Sequence, residues 1–321
     1  MTAASRWILG ALVGAWLHAA AFAQAATLDC PPVATEPTAA QLQAGAAAAR
    51  DHGFLWRLRR DGRVSWLYGT LHVARFEWMF PGPLTAGALK ASDTIALELD
   101  VLDPDIQQRM AQGMAAAPAT PLPAPLQQRL QRQAEAACLD PQALARISPE
   151  MQVATLETLL GRRDGLDPAY GIDVVLAGWA RGAGKPVVSL ETPELQLATL
   201  TMPSAAETIE YIDGALTEME MGRAMPSIRR IARVWSEGDL GTLARYESWC
   251  ECIKTPTDRA ALARLLDDRN PALADSIAAL HARGQRVFAA VGSLHMIGPL
   301  GLPALMARRG FTVEAVAFAR R

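Results

Sequence analysis

The chain has 321 residues, half of them apolar and a fifth charged, enough to bury one large core or two modest ones. Lys and Arg number 31 against 33 Asp and Glu, so the composition offers no basic face to nucleic acid and no polybasic anchor to a membrane.

In chain order, the first segment has the grammar of an export signal. Arg6 is its short positive start, residues 7–22 are its apolar run, and Ala21-Phe22-Ala23 and Ala23-Gln24-Ala25 are small-x-small cleavage sites. The apolar run is shorter than the roughly 20 residues that span a bilayer. Residues 1–25 are therefore expected to be removed near Ala23 or Ala25, leaving a periplasmic or secreted chain without a membrane span. In that compartment Cys30, Cys138, Cys250 and Cys252 are expected as disulfides, in any of three pairings. Cys250-x-Cys252 is too tightly spaced for a zinc knuckle, and no second pair follows it.

Residues 26–50, rich in Ala, Pro, Thr and Gln, read as a linker ending in a short helix; residues 51–321 read as one α/β domain. Strand-like runs at 54–58 and 64–68 flank Asp61-Gly62, the residue types of a tight hairpin turn. A Pro81-Gly82-Pro83 loop, a helix at 84–91 and a strand at 94–99 follow. From about 103 to 165 the chain is rich in Ala, Gln, Leu and Met at helical spacing, broken by a Pro-rich run at 117–125, and reads as a helical insertion. Tyr170-Gly171-Ile172-Asp173 opens a helix that Gly182 and Gly184 end, and a strand at 185–191 comes next. Residues 193–281 are again mostly helical, with Leu262, Leu265, Leu266, Leu273, Ile277 and Leu280 marking buried faces. A strand at 287–291, a helix at 302–309, Gly310 as its stop and a strand at 311–315 complete the chain.

Two of these strands end alike. Gly69-Thr70-Leu71-His72 and Gly292-Ser293-Leu294-His295 are both Gly-x-x-His, each followed by a Gly/Pro loop, a helix and a strand. The expected fold is thus a mixed central sheet built from two βαβ-like halves, each carrying one motif, plus helical insertions. Sites in open α/β sheets lie beyond the carboxyl ends of the strands. Neighbouring strands would bring His72 and His295 to one point, with Gly69 and Gly292 allowing the backbone to turn tightly. Two neutral imidazoles suit a first-row divalent ion. Glu98 and Glu191, each at a strand end, would supply a third ligand and a general base or fourth ligand. Of the five histidines, His18 goes with the signal, while His52 and His281 have no comparable setting. A histidine or carboxylate at a strand end is also an ordinary core or surface residue, and Asp239 fits a helix N-cap.

The chain resembles the TraB/PrgY/GumN family, the bacterial relatives of the Tiki membrane metalloproteases. The resemblance is carried by YGTLHV (68–73) with IALELD (95–100), YGIDVVLAGWARGAGKPVVSLET (170–192), LLDDRN (265–270) and AAVGSLHMIGPLGLPALMARRGFTV (289–313), in the family's order. It implies an α/β core whose two Gly-x-x-His motifs and glutamates form a divalent-metal site. Carried over, His72, His295 and Glu98 are metal ligands, and Glu98, Glu191 and Arg269 are catalytic, with Arg269 steadying an oxyanion or forming a structural ion pair. Tyr170, Asp173 and Asn270 match further positions, taken as substrate-binding. The function so implied is an exported metal-dependent hydrolase, a metallopeptidase using zinc, manganese or cobalt on an envelope or extracellular peptide or protein. Competing readings are a non-catalytic periplasmic protein that binds metal, haem or peptide, and an accessory factor in envelope polysaccharide production. Fold alone does not choose among them.

Overall fold

Six strands form one mixed sheet: β1 (Phe54–Arg60), β2 (Arg63–Thr70), β3 (Thr94–Leu97), β4 (Val187–Ser189), β5 (Val287–Gly292) and β6 (Thr312–Val316), in the order β4-β3-β5-β2-β1-β6. This computed structural model describes residues 29–116 and 120–319. The export signal read at residues 1–25 lies outside them, as does part of the Pro-rich run.

The β1–β2 hairpin turns on Asp61 and Gly62, with φ of 53° and 71°. Both central residues are left-handed, the geometry that lets a two-residue loop follow the strand twist. Centrally, β5 is buried along its whole length, as its unbroken apolar run requires when both faces are covered. At one edge β4 is only three residues long, and at the other β6 is largely exposed, so neither edge is a long apolar template.

β4, β3, β5 and β2 run parallel, while β1 pairs antiparallel with β2 and β6. The two halves read from the sequence do not sit side by side. β5, from the second, lies between β3 and β2, from the first. Its register pairs Thr70 with Gly292 and Leu97 with Ala290. The segments that leave β2, β3, β4 and β5 therefore emerge together at one carboxyl edge.

One core cluster joins the sheet to the helices Ile172–Gly182, Asn270–Ala282 and Leu302–Arg308. The helices read at 103–165 do not close on themselves. Leu126 and Leu130 of helix Ala124–Ala136 and Val153 and Leu156 of helix Pro149–Leu159 share a second cluster with Ile212 and Leu216 of helix Ala205–Glu220. Disulfides join Cys30 to Cys138 and Cys250 to Cys252. Among the described residues no helix is long and apolar enough to cross a membrane.

Candidate active site

The segment after β2 is held by the start of the next parallel unit. Asp173, in the first turn of helix Ile172–Gly182, accepts from Thr70 Oγ1 at 2.7 Å and pairs with His72 Nδ1 at 2.8 Å. The Ile172 N–H donates to the Leu71 carbonyl at 2.9 Å. A Cβ on Gly171 would lie 2.6 Å from the His72 carbonyl oxygen, so only glycine lets the helix dock this closely. The Asp173 carboxylate raises the His72 imidazole from 6.5 to about 9. That side chain is 67% exposed at its edge of the site.

His295 occupies the short 3-10 turn Ser293–Met296 and is buried. Its Nδ1 lies 2.6 Å from Asn270 Oδ1, so Nδ1 carries the proton and Nε2 presents a lone pair. Burial pushes this imidazole down to about 4, leaving it neutral.

Glu98 and Glu191 each lie just past a strand, Glu98 after β3 and Glu191 two residues after β4, and the Glu191 N–H donates to the Glu98 carbonyl at 3.1 Å. Glu98 Oε1 accepts the Gly292 N–H at 2.7 Å and lies 3.9 Å from His72 Nε2. Its Oε2 lies 3.9 Å from His295 Nε2. Burial alone would raise the Glu98 carboxyl, but His295, His72, Arg269 and the Gly292 N–H outweigh it and hold the group at about 2.

Between the two glutamates stands Arg269, at the start of helix Asn270–Ala282. It donates from Nε to Glu191 Oε1 at 2.9 Å and from Nη2 to Glu191 Oε2 at 2.5 Å and to Glu98 Oε2 at 2.6 Å. From Nη1 it reaches the Leu265 carbonyl at 2.9 Å and His295 Nε2 at 3.3 Å. Desolvation opposes its charge, but the two carboxylates hold the guanidinium more firmly protonated than usual.

A cavity of about 440 Å³ opens over His72, Glu98, Arg269 and His295, with aliphatic walls from Leu71, Leu200, Ile231, Leu265, Leu266 and Leu294. Such a polar floor under apolar walls is the usual form of a small-molecule or side-chain pocket.

The structure thus brings together His72, His295, Glu98, Glu191 and Arg269. Asp173 and Asn270, read as substrate-binding, are buried and hold the two histidines from behind. Tyr170 is not among the cavity-lining residues, and its ring packs edge-on to Phe76. The motif glycines do not serve a tight backbone turn. Neither Gly69 nor Gly292 has a positive φ; both are there for space. A Cβ on Gly69 would lie 2.9 Å from Ser293 Oγ, and one on Gly292 would lie 3.3 Å from Glu98 Oε1 and 3.4 Å from His72 Nε2. Sequence reasoning passed over Thr70 and Ser293, which link the two motifs: Ser293 Oγ donates to the Thr70 carbonyl at 2.8 Å. Their signal was a hydroxyl at a strand end that otherwise reads as buried. His281 is a core histidine bonded to Ser65 and to the Arg60 carbonyl.

By type the donors suit a divalent ion, His295 through its Nε2 lone pair and His72 once it gives up the proton that Asp173 favours. Each imidazole has Nδ1 fixed by an acceptor and Nε2 turned towards the Glu98 carboxylate, the outer-shell pattern of ligating histidines. By placement they do not form a finished centre. Among the described residues no group of three or more His, Cys, Asp or Glu side chains stands close enough to hold a metal ion. Arg269 takes the His295 lone pair and one Glu98 oxygen.

No curated protein and no solved structure matches the chain. The sequence model of one family does, over residues 54–315, from the first strand of the sheet to its last. That span holds both histidine segments, both glutamates and Arg269, and the chain belongs to the TraB/PrgY/gumN family.

Proposed function

We propose that the chain is an exported, divalent-metal-dependent hydrolase of the peptidase class, with His72, His295 and Glu98 as the residues that would hold zinc, manganese or cobalt. One observation carries this reading: two imidazoles from different motifs, each oriented at Nδ1, present Nε2 3.9 Å from the same buried carboxylate. When bound, such an ion would supply a Lewis acid for a carbonyl and would ease the ionisation of the attacking water.

The chain's own residues do the rest. Asp173 orients His72 and makes its Nε2 more basic; Asn270 fixes the His295 tautomer. The aliphatic walls keep water away from an apolar substrate segment lying over the polar floor. Glu191 has both oxygens on Arg269 and does not line the cavity, so the base role falls to it only if the guanidinium lets go. Two disulfides suit the oxidising compartment that an exported chain reaches.

Elemental analysis of the purified protein is the test. About one divalent ion per chain is expected, lost in the His72→Ala, His295→Ala double variant, and full retention by that variant overturns the site. The pairing of both carboxylates with Arg269 favours a second reading, a binding protein for a metal, haem or peptide. A peptide library separates the two: products that disappear in Glu98→Gln mean turnover, and stoichiometric capture without products means binding.

A further inference from the structure

Five N–H groups are all that a guanidinium has to offer. In Arg269 each has an acceptor: Nε and Nη2 reach Glu191, Nη2 also reaches Glu98, and Nη1 serves Leu265 and His295. The side chain is 7% exposed, and its glutamate partners are 7% and 1% exposed. Two carboxylates taken so far out of water require a cation beside them. An arginine meant to steady a developing oxyanion keeps an N–H turned to the substrate. Arg269 keeps none.

The geometry points to Arg269 as the resident cation of the site: it pairs with both Glu98 and Glu191, offsetting one of their two charges, and a divalent ion binds only by taking His295 and Glu98 away from it. This rests on the metal reading above, and it makes Arg269 a competitor of the metal. The ion and the Nη1 N–H both need the Nε2 lone pair of His295, and the ion and Nη2 both draw on the charge of Glu98. Arg269 positions the two glutamates and the histidine, and it sets how tightly any metal is held.

The experiment compares wild type, Arg269→Met and Arg269→Lys, stripped with chelator and titrated calorimetrically with zinc and with manganese at neutral pH. Thermal unfolding is followed with and without the metal. Arg269→Met is expected to bind at least tenfold more tightly than wild type. Without metal its Tm falls, and saturating metal restores more of it than metal adds to the wild type. Arg269→Lys keeps a charge but cannot meet five acceptors, so it is expected to lie between them, and it serves if Arg269→Met does not fold. Equal or weaker binding in the variants overturns the competitor role, and if wild type still holds one ion the metal reading stands. Binding by Arg269→Met with none by wild type supports the competitor role and overturns the metal reading. Absence of binding in all three proteins overturns both.

Discussion

At the residue scale, the two histidines differ because one faces a carboxylate and the other an amide. Asp173 holds His72 up to about 9, whereas burial beside an uncharged partner leaves His295 down at about 4. Ring-nitrogen NMR titration of the chelator-treated protein should place His72 well above the ordinary 6.5 and His295, like the core His281, below it, with Asp173→Asn returning His72 towards 6.5. A histidine raised by its partner contributes fully below 6.5 and loses that contribution as pH rises through about 9. The Tm gap between wild type and Asp173→Asn should therefore be widest in mild acid and narrow above pH 9; a pH-independent gap contradicts the pairing. The identities of His72, His295, Glu98 and Glu191 were legible in the sequence, because each follows a short apolar strand. The work of Asp173 and Asn270 was not. A side chain behind a histidine carries no local pattern of its own.

At the element scale, space rather than backbone conformation decides the motif glycines. Gly292 has a φ of −48°, which alanine adopts freely, but its Cβ would enter between Glu98 and His72. Gly292→Ala should therefore fold, at a cost of about 1–3 kcal/mol. Metal binding, read by equilibrium dialysis, should weaken by about tenfold or more as the donors are pushed apart. Unchanged binding would mean that the glycine serves only the strand. The Asp-Gly hairpin and the helix opening at Gly171 were readable, because turn chemistry and helix starts depend on neighbouring residues. The tightness of the Gly171 approach was not, since it depends on a carbonyl nearly a hundred residues earlier in the chain.

At the scale of the whole molecule, the Cys30–Cys138 disulfide joins the segment before the sheet to the end of helix Ala124–Ala136, across 108 residues. Cys30→Ser should cost about 2–4 kcal/mol in denaturant unfolding, by freeing a long loop in the unfolded chain. The candidate site, built on the other cluster, should keep its metal content in that variant. By itself the sequence determined the presence of the strands, the hairpin turn, both Gly-x-x-His segments and the family, because alternation, turn residues and motif spacing are short-range properties. It overran the ends of β3 and β4, read at 94–99 and 185–191. Only the tertiary structure decided that β5 enters between β3 and β2, and so that His72, Glu98 and His295 meet. Parallel pairing is non-local, and nothing in a strand's own residues names its neighbour. Only the tertiary structure, too, placed the guanidinium of Arg269 against Glu98, 171 residues earlier in the chain. Two buried carboxylates needed a cation there, and a helix start happened to reach them.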